Sequence, residues 1–378
     1  MANTLTGNSF QRLSDPILEV SEALSLSLLE RIKKYAQKLI DDPRSNITIQ
    51  KATREAQQEW QYFYGEAQDW TDEAIANAYL RGIQQTNGEL SGTDITLASG
   101  VVIGSIPLIG GGSGGGNVPP IAKEILSEYP EHWTMYSVFK EQAYTDFAST
   151  RIPVMRDVED KVRNLIVEAS EAQYRNADTF TRRQMTQDLM ERFADENITG
   201  IRYSDGRTMN INSYSELVAR SQTGNAAREA AIRRQQEYGL DLCQISVHYP
   251  CSDLCIDEQG RVYSVSGQSD RYPPLSEAIS NGLYHVNCKH SQSAYIEGTS
   301  KLPDRDVSKT RNKEMYEASQ RQRAIERKIR AWKRRKTTAV TEDARNKAQS
   351  YISKWQKEQR QLLDENPFLR RRYDREGI

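Results

Sequence analysis

The sequence predicts a mainly α-helical chain with one small, zinc-stabilised α+β module. An extended helical body precedes the module and a C-terminal helical hairpin follows it. Three observations carry this. Apolar residues recur at helical spacing over most of the 378 residues. Only 37 % of residues are hydrophobic against 27 % charged, too few for a single large core. All four cysteines and three of the four histidines fall between Cys243 and His290.

Residues 1–97 read as an N-terminal helical region. Over 14–41, Leu18, Leu24, Leu28, Leu29, Ile32 and Tyr35 share one face, with Ser14 or Asp15 as cap and Pro16 in the first turn. Two further helices are expected over 47–67 and 71–86, with Trp60, Phe63, Trp70, Ala74, Ala78 and Leu80 in the core. The opening MANTLTGNSFQRLSDP lacks the basic start and apolar run of a secretory signal. Synthesis in the cytosol follows, where disulfides are rare. No apolar run approaches the roughly 18 residues that a spanning helix requires, so no membrane partner is expected.

Residues 98–120 form a separate loop, an apolar run from Val101 to Ile109 followed by glycines from Gly110 to Gly116. It is no P-loop, because no Gly-Lys-Ser/Thr follows. An apolar loop joined to a flexible linker suits a contact with another subunit. The helical body resumes over 121–197, with helices at 119–128, 133–150, 154–173 and 179–195.

Residues 198–300 hold a hairpin, a helix and the Cys/His module. ITGIRYSDGRTMNIN alternates around Ser204-Asp205-Gly206-Arg207, and Asp-Gly favours a type I′ turn with both central residues at positive φ. Residues 213–238 read as a long helix or a broken pair, stopped by Gly239. Then come His-x2-Cys-x3-Cys at 248–255 and His-x2-Cys-x-His at 285–290. Two local groups of nitrogen and sulfur donors are the arrangement a tetrahedral zinc ion requires. The expected ligands are His248, Cys251, Cys255, Cys288 and His290, five candidates for four places, with His285 and Cys243 in reserve. Cys243 also suits a strand core as a small apolar residue. The module's few apolar residues (Val247, Leu254, Val262, Val265, Leu275, Ile279) would order poorly without an ion, whose binding can supply about 10–16 kcal/mol. Neither His-Glu-x-x-His nor the deaminase signature occurs, so the ion is expected to be structural and no catalytic residue is assigned.

Residues 301–378 form the tail. It holds 23 Lys and Arg against 12 Asp and Glu, whereas the rest holds 28 against 40, so a net charge of −1 conceals an acidic body and a basic tail. Helices are expected over 306–337 and 341–365, anchored by Trp332 and Trp355, with a thin seam of Ile325, Ile329 and Trp332 that calls for a partner surface. The basic face suits phosphate, such as that of double-stranded DNA, or an acidic protein surface.

The order Ser-Asp-Gly-Arg, SYSELVARS, EYGLD, QISVH, Cys-x3-Cys, QGRVYS, YPPL, GLYHVNCKHS and RQRAIERKIRAWKR resembles the phage minor capsid protein 2 family, related in role to Mu F-like head morphogenesis proteins. The likeness is specific over 198–375 and weaker over 70–197. It implies a structural, non-enzymatic protein of a tailed-phage head, made in the host cytoplasm and located in the virion at the portal vertex. Its implied partners are the portal protein and the major capsid protein. The family's shared positions fall on Asp205, Gly206, Arg207, Tyr214, Arg220, His248, Cys255, Gly260, Asn287, Cys288 and His290. Lys289 and Ser221 depart from the arginine and threonine common among relatives. The alternative is a zinc-dependent hydrolase or nuclease acting during DNA packaging or entry.

Overall fold

The computed structural model describes residues 7–90, 126, 129–286 and 288–377, leaving aside the side chains of 7–12 and 374. The apolar and glycine-rich stretch 98–120, and Asn287, lie outside the described residues. The fold is mainly helical with a small β region. In order the elements are α1 (Gly7–Asp41), α2 (Ile49–Leu90), α3 (Pro130–Ala148), α4 (Arg151–Tyr174), α5 (Thr179–Glu196), β1 (Thr199–Arg202), β2 (Thr208–Asn210) and α6 (Ile211–Glu237). There follow β3 (Leu242–Ile245), β4 (Val262–Ser264), α7 (Leu275–Ser280), β5 (Gln292–Ala294), α8 (Lys309–Thr338) and α9 (Glu342–Glu365).

Several local expectations change. The helix over 14–41 begins earlier, at Gly7, and Pro16 lies inside it. Leu13 and Ser14 are buried there, and the Trp70 indole donates to the Leu13 carbonyl at 2.7 Å, so tertiary contacts carry the helix through the proline. The helices expected at 47–67 and 71–86 are one, α2, because 68–70 holds no breaker and Trp70 is buried. The hairpin turn is not type I′. Gly206 alone has positive φ (85°), its N–H donates to Tyr203 O at 3.0 Å, and Tyr203 N–H donates to Arg207 O at 2.8 Å. This is a three-residue hairpin loop with the left-handed residue at glycine. Asp205 steadies it by accepting from Arg207 N at 3.0 Å.

The chain divides into two compact units, each assembled from three separate stretches. One comprises Ile17–Gln68, Thr145–Glu216 and Ala318–Ile378. Its core includes Trp60, whose indole donates to Thr150 Oγ1 at 2.9 Å, and Phe63 edge-on to Phe147 with centroids 6.1 Å apart. Lys161 is 3 % exposed and meets Asp157 at 3.0 Å and Glu196 at 3.2 Å, so its buried charge is paired. The tail helices α8 and α9 are held by a ladder of rings and cations. Trp332 and Tyr351 stack with centroids 4.1 Å apart, Arg335 lies over Trp332 at 4.5 Å, and Lys328 over Trp355 at 3.9 Å. These contacts supply what the thin apolar seam lacks.

The other unit comprises Met1–Pro16, Asp69–Tyr144 and Leu217–Glu317. In it the C-terminal part of α2 packs on α6 so closely that a Cβ at Gly82 would stand 2.2 Å from Ala227 O. Around this crossing lie Ile75, Tyr79, Ile83, Tyr136, Ala227 and Ala230. The three-stranded sheet has the order β4-β3-β5, with β3 antiparallel to both neighbours. Strand β5 is an edge, and α2 covers it: Glu89 accepts from Ala294 N at 3.0 Å and Gln85 donates to Gln292 O at 2.9 Å. Burial pushes the Glu89 carboxyl up to about 7, partly offset by those two donors. On the sheet's core side sit Cys243, Ile245, Ile256, Tyr263, Ala278 and Leu283. Val262 and Leu275 are buried as expected, but Leu254 (58 %) and Ile279 (48 %) are exposed. With those two turned outward, the core is built instead on Cys243, Ile245, Ile256, Tyr263, Ala278 and Leu283.

Candidate metal centre

Two irregular loops at one end of this sheet carry the Cys/His residues. The first leaves β3 and carries His248, Cys251 and Cys255. The second enters β5 and carries His285, Cys288 and His290. Antiparallel pairing brings them together: Ile245 faces Gln292, Ser246 N donates to Ser291 O at 2.9 Å, and Ser291 N donates back to Ser246 Oγ at 3.0 Å. Two residues past Ser246 and one before Ser291, His248 and His290 lie with ring centroids 4.3 Å apart. A tight turn, with Cys288 N donating to His285 O at 2.7 Å, presents those two side chains together.

The donor atoms converge in two overlapping groups. Cys251, Cys255 and His290 lie within 4.8 Å of one another, as do Cys255, His285 and Cys288. Cys255 belongs to both. Cys288 Sγ stands 3.2 Å from His290 Nδ1, and Cys255 Sγ 3.6 Å from His285 Nε2. Thus four of the five expected ligands fall in these groups, Cys251 and His290 in the first, Cys288 in the second with the reserve His285, and Cys255 in both. His248 is placed beside these groups, its ring stacked on His290 and its Nε2 buried without a hydrogen-bond partner. Burial, reinforced by His290 and Lys289, pushes His248 down to about 3, so it is neutral. Cys243 points into the sheet core, wholly buried, outside both groups.

Three thiols this close cannot all ionise by themselves. Cys251 is held below the usual thiol range chiefly by a hydrogen bond from Cys255. Cys255 is pushed up to about 12, first by that same bond, and Cys288 up to about 12, first by its bond with Cys255. A divalent cation removes this conflict by replacing the protons. Thiolates with imidazole are the donor set that zinc prefers.

The surroundings fix the loops. Asn312, fully buried in the first turn of α8, clamps Cys251 at two points: its Oδ1 accepts from Cys251 N at 2.9 Å, and its Nδ2 donates to Cys251 O at 2.9 Å. Arg305 donates to Ile256 O at 3.1 Å, and Lys309 meets Asp257 at 2.6 Å. Gln259, also fully buried, accepts from His248 N at 3.2 Å and lies 3.1 Å from His290 Nε2. Sequence reading does not find Asn312 or Gln259, because an isolated amide residue carries no spacing signal. The one available hint is that Gln259 precedes Gly260, whose φ of 70° marks a turn.

Comparison with known proteins decides the family. The model of the family described as phage minor capsid protein 2 matches residues 133–364, more than half of the chain and inclusive of the whole Cys/His region. The chain belongs to the phage minor capsid protein 2 family. Over 183 residues it is 27 % identical to a structural protein of Lactococcus phage LL-H, covering 46 % of this chain and 49 % of that one. Over 100 residues it is 35 % identical to a structural protein of Lactococcus phage mv4, covering 26 % of this chain and 81 % of that one. The chain therefore spans about half the length of the first of these relatives. No solved structure matches. As a member of this family the protein is a phage structural protein, and no helix among the described residues is long and apolar enough to cross a membrane.

The family's shared positions that are described have local roles. Asp205 and Arg207 pair at 2.7 Å across the hairpin tip, and Tyr214 Oη lies 3.4 Å from Ser149 Oγ. Gly260 donates to Ile245 O at 3.0 Å, closing the first ligand loop onto β3.

Metal and protons compete for the same thiols, so a bound ion is expected to be lost as pH falls and held more tightly as pH rises. Titrating purified protein from pH 8 to pH 5 while following zinc release and near-UV circular dichroism checks this. Release on acidification or with a strong chelator should abolish the tertiary signal of the Cys/His region. An unchanged spectrum and melting temperature after complete chelation contradicts the metal centre.

Proposed function

We propose that this minor capsid protein is a low-copy building block of the phage head, placed where the portal meets the inner capsid wall. The zinc-clipped module serves there as a rigid contact surface. The observation that carries the reading is the family match over a region that includes a convergent, mostly buried thiol and imidazole cluster. Cys251, Cys255, Cys288 and His290 offer four soft donors, the number that closes a structural zinc shell without an activated water. This favours a scaffolding ion over the alternative of a zinc hydrolase or nuclease. Portal and major capsid proteins are the partners that the resemblance implies.

Cross-linking mass spectrometry on purified virions and DNA-filled heads tests the placement. The expected result is this chain at a few copies per particle, cross-linked to portal protein. Its absence from filled heads, or cross-links only to tail components, overturns the reading.

Within the basic tail, one cavity gathers several cations where a phosphate of packaged DNA could sit. Much of its charge is used internally: Arg335 pairs with Asp195 and Glu191, Arg334 donates to Ala194 O, and Arg371 is bound to Glu376. Lys333, Lys336 and Arg345, with Thr337, Gln349 and Ile352, line a cavity of about 400 Å³. There Lys333 donates to Glu376 O, Lys336 donates to the neutral Gln349 at 2.7 Å, and Arg345 pairs with the exposed Glu342. This cavity is the phosphate-binding part of the tail. Binding of the full chain to random duplex DNA should weaken with salt, and substituting Lys333→Gln, Lys336→Gln and Arg345→Gln together should reduce the log–log slope by about 3. A slope equal to that of the unsubstituted chain removes the DNA contact from this cavity.

A further inference from the structure

The geometry points to Gln259 as the residue that selects which nitrogen of His290 faces the ion: we infer that Gln259 holds His290 as the Nε2-protonated tautomer and so presents Nδ1 as the ligand. This rests on the zinc reading above and goes beyond it, because neither the family nor the Cys/His spacing specifies a tautomer or assigns Gln259 any part.

The deduction starts from a backbone group. The N–H of His248 can only donate, and it points at the Gln259 side-chain amide from 3.2 Å. The amide atom there is therefore the oxygen, and the orientation of the amide is fixed by the main chain. That same oxygen lies 3.1 Å from His290 Nε2. An amide oxygen only accepts, so Nε2 carries the hydrogen. A ligating imidazole is neutral and has one ring hydrogen, which leaves Nδ1 with a free lone pair. Nδ1 is the atom found 3.2 Å from Cys288 Sγ.

Two further observations accompany this placement of Gln259. Its Nε2 is buried without a hydrogen-bond partner, so the side chain keeps its oxygen toward the two N–H groups while its own donors go unused. Its backbone is locked by the next residue. Gly260 has φ of 70° and donates to Ile245 O at 3.0 Å, and a Cβ there would stand 3.0 Å from Val247 Cγ2. A carbonyl oxygen on the far nitrogen of a ligating histidine fixes the ring and raises its basicity. His248 thus contributes through its backbone, with its ring stacked on the face of His290.

Two-bond ¹H–¹⁵N correlation spectra of histidine-labelled, zinc-loaded full-length protein test the inference. The expected pattern for His290 is a metal-bound Nδ1 and a protonated Nε2. Competition with a chelator should show Gln259→Met binding zinc about 10- to 100-fold more weakly. Gln259→Glu, which still offers an oxygen, should retain both the affinity and the Nδ1 pattern. Ligation of His290 through Nε2, or Gln259→Met with unchanged affinity, overturns the assignment while leaving zinc in place. Should Gln259→Met fail to fold, the spectrum of the unsubstituted protein decides alone. A protein that binds no zinc overturns the zinc reading together with this inference.

Discussion

Three sulfur atoms cannot carry negative charge within a few ångströms of one another unless a cation lies among them. Cys251, Cys255 and Cys288 are brought to that separation by chain segments more than 30 residues apart, and His290 completes the group. Everything local follows from this convergence. The apolar core beneath it lies on the strands and α7, while Leu254 and Ile279, near the ligand loops, face solvent. Hydrogen bonds and packing by themselves give such a module little with which to order two long irregular loops. A shared ion would change the balance, since every donor it bound would be a loop residue that no longer needs an apolar neighbour.

The protein surrounds the cluster with groups that position loops and contribute no donor atom to it. Asn312 pairs with the backbone of Cys251 in the manner of a short β-bridge, although it belongs to a helix. Gln259 joins the two loops by accepting from one and orienting the histidine of the other. On the far side of the sheet, Glu89 and Gln85 cover the open edge of β5 and so prevent it from pairing elsewhere. A surface used for contacts in a particle needs this kind of rigidity, because a contact patch that must order itself on binding loses affinity to that ordering. This is the link between the metal chemistry and the structural role that the family match gives the chain.

Much of the metal centre was legible in the sequence because soft donors are scarce. Seven of eight cysteines and histidines in one short region have few explanations other than an ion. Which of them would converge was less legible. His248 has the spacing of a ligand, yet pairing of β3 with β5 stacks its ring on His290, leaving the backbone N–H as the group that acts. Asn312 and Gln259 were invisible because their roles arise from contacts across 61 and 31 residues of chain. The mainly helical class followed from periodicity, but boundaries did not. The expected break near residue 69 vanished because no residue there opposes a helix. Pro16 is tolerated because Trp70 and buried neighbours stabilise the turn around it. The hairpin tip shows the same limit, since Asp-Gly fits both a two-residue and a three-residue loop and only the pairing of Tyr203 with Arg207 chooses between them.

The tail makes a parallel point about charge. Its excess of Lys and Arg suggested a surface for phosphate, and the folded chain uses much of that charge internally, on carboxylates, carbonyls and aromatic faces. What stays at the surface is a small cavity lined by Lys333, Lys336 and Arg345, together with scattered exposed cations such as Arg321, Lys347 and Arg360. Counting basic residues along a segment therefore overstates its capacity for nucleic acid. X-ray absorption at the zinc edge, on protein purified without added metal, addresses the central claim most directly. The account predicts a zinc signal with about three sulfur neighbours and one nitrogen, the shell of a closed tetrahedral site. The lack of a zinc edge, or a shell of only nitrogen and oxygen, would contradict it.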